Sequence, residues 1–216
     1  MVAGMVREVS IMDLHVHTVY SRDSVIPPQL VASYARVVAS LDGIAITDHN
    51  TLEGWRRAAR SMKEGEFLLI PGVELEFPEG ELLLYGIEEL PKRFSAADAI
   101  DYAREAGGVV AAPHPFDSRR KGIAELVYSL SLDAIEVINA RSSKKANSMA
   151  AAAARSLGAA RLGSSDAHTP IEIGRAVTVF RRRVDSLDDF VRYILSRDTV
   201  AAWGGVLFGA RRIRVR

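Results

Sequence analysis

Short apolar runs alternate with helical stretches along almost the whole chain, and this order limits the possible folds more than any other feature. The first run, "IMDLHVH", ends near His17, and "PPQLVASYARVVASL" (27–41) then opens with prolines on an apolar stripe at helical spacing. "DGIAITDHN" (42–50) predicts a strand ending in a polar loop, "TLEGWRRAARSMKEG" (51–65) a helix, and "EFLLIPGVELEF" (66–77) a strand broken by Pro71 and Gly72. "GELLLYGI" (80–87) is expected to pair with the strand before it, because "PEG" between them is turn chemistry. "SAADAIDYAREAGG" (95–108) carries a capping serine and closing glycines, which bound a helix. Strands at 109–115, 132–140, 159–168 and 175–180 then alternate with helices near 122–130, at 144–158 and at 186–197. Such alternation predicts an α/β chain with a parallel sheet or barrel and helices outside it. No linker or low-complexity segment divides it, so one domain over 1–216 is expected, with "ARRIRVR" (210–216) as a solvated basic tail.

The chain has five histidines, at 15, 17, 49, 114 and 168, and each falls at or just past the C-terminal end of an expected strand. Residues i and i+2 of a strand share a face, so Asp13, His15 and His17 lie on one side and Met12, Leu14 and Val16 on the other. The apolar set suits burial against helices, whereas the polar set is costly to bury without a partner such as a metal. In a (β/α) barrel the loops after the strands converge on one mouth, which makes chain-distant residues neighbours. Carboxylates follow the same rule: Asp23 comes soon after the first strand, Asp48 precedes His49, Glu74 ends "LLIPGVE", and Asp166 sits two before His168. Asn139 holds the corresponding place after "LDAIEVI". With no cysteine in the chain, thiolate sites, disulfides and cysteine nucleophiles are excluded, and any metal must take nitrogen and oxygen ligands. Several imidazoles and carboxylates at one mouth can hold two or three divalent ions such as zinc, manganese or iron.

The stretches "DLHVHT", "ITDHN", "PGVE", "APHPF" and "SSDAH" occur in the order and chain positions of the Polymerase and Histidinol Phosphatase (PHP) family of metal-dependent phosphoesterases, which the chain resembles over roughly residues 10 to 200. The resemblance implies a distorted seven-stranded (β/α) barrel. It implies one metal site from His15, His17, Glu74 and Asp166. A second would be bridged by Glu74 and held by His114, with Asn139 where many relatives carry histidine. A third would be held by Asp23, His49 and His168. Asp48 is expected beside the ligands, orienting His49 or another imidazole. Glu74, Asp23 and His168 are the expected catalytic groups, the last two assisting the leaving alkoxide after attack by a metal-bound hydroxide. Arg141, Arg119 and Arg120 are the candidates for binding substrate phosphate, Arg141 foremost because it directly follows a strand end.

The implied activity is hydrolysis of a phosphomonoester, or of a nucleotide or oligonucleotide phosphate, with a phosphorylated small molecule or nucleic-acid end as substrate. The short stretch between His114 and Asn139 leaves no room for an inserted helical lid, so an open mouth is expected. The alternative is a non-catalytic barrel that binds RNA or protein, like the related subunit of ribonuclease P. A net charge of +1 gives no global electrostatic case for nucleic acid. No run approaches a membrane span, and Arg7 and Glu8 stand where a signal peptide is apolar, so a cytoplasmic protein with no membrane partner is expected.

Overall fold

The computed structural model describes residues 9–62, 67–91 and 95–204, and the backbone of 206–207, 210–211 and 214–215. Its main elements are β1 (Ser10–Asp13), α1 (Pro28–Val37), β2 (Gly43–Ile46), α2 (Glu53–Ser61), β3 (Leu68–Phe77), β4 (Gly80–Tyr85), α3 (Ala96–Glu105) and β5 (Val109–Ala112). They continue with β6 (Ala134–Asn139), α4 (Lys144–Leu157), β7 (Ala160–Ser164), β8 (Ala176–Phe180), α5 (Leu187–Leu195) and β9 (Thr199–Trp203). The nine strands, with the backbone of Arg214–Val215 at the edge beside β9, form one ten-stranded sheet in the order β9-β8-β1-β2-β3-β4-β5-β6-β7.

Of β1 to β7, six strands run the same way, since β1–β2, β2–β3, β5–β6 and β6–β7 are parallel and β4 pairs antiparallel with both β3 and β5. The sheet curls until its ends meet. An isolated parallel bridge joins Val16 to Ala167, with His17 N–H donating to Ala167 O at 2.9 Å and Ala167 N–H to His15 O at 3.3 Å. Seven strands, β1 to β7, thus make the expected distorted barrel, and β8 and β9 extend antiparallel from β1 across the seam. There Thr178 Oγ1 accepts from Gly163 N–H (3.1 Å) and donates to Gly163 O (3.0 Å). Only glycine allows so close an approach, because a Cβ at 163 would lie 2.5 Å from the Val177 carbonyl.

Five expectations change. β3 runs unbroken through Pro71 and Gly72, where a break was expected; they mark instead the point at which its pairing passes from β2 to β4. Residues 124–128 form a single 3-10 turn instead of an α-helix. The first strand stops at Asp13, leaving His15 and His17 on extended chain beyond it. β9 was not expected, and it follows α5 closely enough to read as part of one helix-to-loop segment. Of the basic stretch 210–216, residues 212, 213 and 216 lie outside the described residues, while the backbone of Arg214–Val215 pairs antiparallel with β9 rather than hanging free. Among the described residues no helix is long and apolar enough to cross a membrane.

The barrel interior is divided along its axis. Met12, Ile70, Tyr85, Val109, Ala134, Leu162 and Phe180 fill the end away from the parallel strands' C-termini, joined there by Phe190 and Ile194 of α5. The Phe190 ring lies 5.7 Å from those of Tyr85 and Phe180, and Tyr85 Oη donates to Leu14 O at 2.8 Å. α5 is thereby an apolar plug beneath the polar mouth. Phe190→Ala removes most of that plug and is expected to destabilise the fold by about 3–5 kcal/mol, read as a lowered urea midpoint with an unchanged slope.

Candidate metal centre

Most of the polar side chains in the upper barrel are carried by the chain toward or beyond a parallel strand's C-terminus, with Glu136, early in β6, and Glu81 of the antiparallel β4 as exceptions. His15 and His17 are fully buried there, and their Nε2 atoms face one another at 3.0 Å. Glu74 Oε2, from β3, lies 3.3 Å from His15 Nε2 and 3.2 Å from His17 Nε2; Asp166 Oδ1 lies 3.8 and 3.6 Å from the same atoms. Four donors held tetrahedrally about 2.1 Å from an ion stand about 3.4 Å apart, which is the spacing seen.

The outer ring atoms settle which proton each imidazole keeps. Ser21 Oγ has one proton and gives it to Asp48 Oδ1 (2.7 Å), so it accepts from His17 Nδ1–H at 2.9 Å. Asp48 is held in turn by Thr18 N–H and Oγ1–H at 2.6 and 2.7 Å, and Gly54 leaves room for it: a Cβ there would sit 1.8 Å from Asp48 Oδ2. Glu136 Oε1 takes the Nδ1–H of His15 at 3.1 Å, and its other oxygen accepts from His114 N–H at 2.8 Å. Both Nε2 lone pairs then point at each other and at Glu74, an arrangement that demands a proton or a cation between them. Burial alone would lower the His15 imidazole, but Glu74 and Glu136 beside it hold it raised to about 10, whereas burial pushes His17 down to about 3.

Two further groups adjoin the first. Glu74 Oε1 lies 3.1 Å from His114 Nε2, which is 3.8 Å from Glu81 Oε2 and 4.0 Å from Asp166 Oδ2. Burial, and then Glu74 beside it, raises Glu81 to about 8. On the other side His17, His49 and His168 each offer a ring nitrogen within 4.8 Å of the others, and His168 Nε2 meets Asp23 Oδ2 at 3.0 Å. The buried Nδ1 of His49 has no hydrogen-bond partner among the described residues, although Glu74 Oε2 is only 3.3 Å away. A lone pair shielded from water and facing a carboxylate fits a cation. His114 and Asp166 both adopt left-handed backbone, φ 28° and 55°, which turns their side chains inward at local strain.

Asn139 stands in the expected place, but its amide is turned otherwise than a ligand's would be. Its Oδ1 accepts from Arg141 N–H (2.9 Å), while its Nδ2 donates to Glu136 Oε2 (2.8 Å) and Asp166 Oδ2 (2.9 Å). The amide presents its NH2 to the buried carboxylates and turns its oxygen toward Arg141 N–H, so Asn139 positions carboxylates instead of joining His114. Asp48 reaches His17 through Ser21, and its link to His49 is only that Ser21 Oγ also accepts from His49 N–H at 3.1 Å. Of the arginines, Arg119 faces away, engaged by Asp117 and by Arg141 O at 3.0 Å. Arg120 projects into the cavity against Asp166, and Arg141 lies against His168 Nδ1 at its side. The sequence reading missed Ser21, Glu136 and Glu81; a glutamate inside the apolar strand "LDAIEVINA" was the available signal for one of them.

The PHP domain family matches residues 13–170, and the PHP-associated family matches 144–199. The chain belongs to the PHP domain family. It is 31% identical over 188 residues to the uncharacterized protein MJ0417 of Methanocaldococcus jannaschii, covering 82% of this chain and 74% of that one. It is 34% identical over 139 residues to that organism's uncharacterized protein MJ1587, covering 59% of this chain and 81% of the relative. In fold, this PHP chain resembles a two-domain protein from Bacteroides vulgatus containing a predicted PHP-like metal-dependent phosphoesterase, with a TM-score of 0.74 at 19% identity; the match spans 90% of this chain and 65% of that longer one. It also resembles the lesion-specific endonuclease PfuEndoQ of Pyrococcus furiosus, at 17% identity and a TM-score of 0.61, over 95% of this chain and 57% of the endonuclease.

The PHP donor set fits divalent cations, and two outcomes follow. Ser21→Ala or Glu136→Gln frees one imidazole's orientation and should weaken manganese binding about 10–100-fold by titration calorimetry. Because His15 is raised to about 10, the metal-free protein carries its proton at pH 7.5 and must release it on loading. Affinity should therefore climb as pH rises toward 10, and binding enthalpies measured in buffers of different ionisation enthalpy should diverge.

Proposed function

We propose that this PHP chain is a metal-dependent hydrolase of phosphate esters, acting on a phosphomonoester or on the terminal phosphate of a nucleotide or oligonucleotide. The observation that carries this reading is the convergence of three donor groups on one open cavity that the cationic Arg120 and Lys121 also line. The cavity, about 180 Å³, is smaller than the ~300 Å³ at which ligand pockets usually begin. A phosphoryl group enters and the rest of the substrate stays outside the barrel, which is compatible with a small molecule or a polymer end.

His15, His17, Glu74 and Asp166 would hold one divalent cation, Glu74 and His114 a second, and Asp23, His49 and His168 a third, with manganese, zinc or iron as the candidates. When bound, such cations supply an acidified water and offset charge on phosphoryl oxygens. The protein's own part is positional. Arg120 offers a planar fork to the phosphoryl oxygens from inside the cavity, whereas Lys121 is tied to Glu76 Oε1 at 2.6 Å and sets charge at the rim. Asp23 and His168 stand at the open side, 3.0 Å apart, so the charge they would hold there faces a departing oxygen. The fully buried imidazoles and carboxylates support a catalytic centre over a barrel that only binds RNA or protein.

The test is hydrolysis of p-nitrophenyl phosphate, its bis-ester, nucleotides, sugar phosphates and short RNA by the manganese-loaded protein. Activity should fall at least ~100-fold in His17→Ala; full activity in that variant or in chelator would overturn the reading. Arg120→Ala should raise KM about 10-fold with little change in kcat, whereas Arg119→Ala should leave both unchanged.

A further inference from the structure

Glu81 is 5% exposed, lines the cavity, and belongs to none of the five sequence stretches that mark the family. β4 runs antiparallel to its neighbours, so the start of that strand, not its end, lies at the mouth. Among the described residues no donor hydrogen-bonds the Glu81 carboxylate; the nearest is His114 Nε2 at 3.8 Å. Directly opposite in the ladder is Glu76, a second carboxylate, which Lys121 and Asn50 engage at 2.6 and 2.8 Å. Like charges facing each other across a strand pair, one of them buried and without a donor, are unfavourable unless a proton or a cation joins them.

Asn139 cannot supply that missing partner. Flipping its amide would press an oxygen against Glu136 and Asp166 and an NH2 against Arg141 N–H, so the orientation that turns Oδ1 away from the site is fixed by the chemistry of these three neighbours. Glu74, Glu81 and His114, by contrast, each present one donor atom within 4.8 Å of the other two, with His114 Nε2 3.1 Å from Glu74 Oε1. We propose that Glu81 completes the second cation site of this chain, in the place that Asn139 leaves unfilled. This rests on the hydrolase reading above and gives that site a definite character. Two carboxylates and one imidazole are a harder donor set than the two imidazoles and two carboxylates of the first site, so the second site's preference shifts from zinc toward manganese or magnesium.

The experiment loads wild type, Glu81→Gln and, as a control at a residue that faces away from the cavity, Arg119→Ala with manganese, removes free ion, and reads bound metal by elemental analysis and spin coupling by electron paramagnetic resonance. Wild type should hold adjacent, exchange-coupled ions. Glu81→Gln should lose one equivalent and the coupling that Glu74 mediates, while Arg119→Ala keeps the coupled signal. A Glu81→Gln protein with the wild-type count and coupling would overturn the Glu81 assignment alone. A wild type that retains no manganese would overturn the hydrolase reading with it. If Glu81→Gln does not fold by circular dichroism, Glu81→Asp carries the test: its second equivalent should need at least ~10-fold more manganese, and unchanged loading would overturn the assignment.

Discussion

Buried negative charge at one end of a barrel is the constraint on which the rest of the structure depends. Glu74 and Asp166 are each 1% exposed and Glu136 is fully buried, all within the same upper layer. A carboxylate removed from water is tolerated only when hydrogen-bonded or paired. Glu136 meets this with donors of the protein itself, from His15, the His114 backbone and Asn139. Glu74 does not, since what surrounds it is mainly imidazole nitrogens, and His15 and His17 each direct an Nδ1–H away from it, to Glu136 and Ser21. The two glutamates therefore play different parts: Glu136 fixes geometry, and Glu74 is the anion around which positive charge must gather.

That division explains which parts could be read from sequence. The histidines were legible because parallel strands deliver their C-terminal ends to one mouth, and "DLHVHT", "ITDHN", "APHPF" and "SSDAH" each place polar residues there. Glu81 was not, because the same rule reversed applies to an antiparallel strand, and the direction of β4 follows from the short "PEG" turn and not from its composition. Glu136 and Asn139 are three residues apart and should face opposite sides of a regular strand. The register shift between Glu136 and Ile138 brings both inward, and nothing in the local sequence marks that bulge. Asn139 occupied the expected place, but its role depended on which end of the amide met Arg141 N–H, a matter of tertiary contact. Ser21 was invisible as one more serine in a polar loop until Asp48 and His17 were seen to meet at it.

The fold divides labour along the barrel axis in the same physical terms. Below the site the interior is apolar and closed by Phe190 and Ile194 of α5, so the low-dielectric floor strengthens the electrostatic interactions above it. The helices outside add alanine-rich packing, as where Ala150, Ala153 and Ala154 of α4 sit against Ile135 and Val137 of β6. Small side chains let α4 lie close to the sheet, and its serine N-cap, Ser143, holds Ala146 N–H at 3.1 Å just beyond the loop carrying Arg141. The site's reach toward solvent is set instead by the 117–121 turn, which sends Arg119 outward and Arg120 inward on successive residues.

The seam of the barrel ties stability to the metal centre. Among the described residues the ends of β1 and β7 share a single bridge, at Val16 and Ala167, so the sheet alone closes weakly there. Asp13 reinforces it by accepting from Ser165 N–H at 2.9 Å and Gly174 N–H at 2.8 Å, at the expense of a buried carboxylate that burial raises to about 6. The first donor group straddles the same seam, with His15 and His17 on one side and Asp166 on the other. A cation held by these three binds the first strand to the last across a gap spanned by few backbone hydrogen bonds. The unfolded chain cannot offer this arrangement, so binding energy at the seam becomes folding energy. The residues that prepare the chemistry are then also the clasp that keeps the barrel shut, and substitutions in the centre act on stability as well as on turnover.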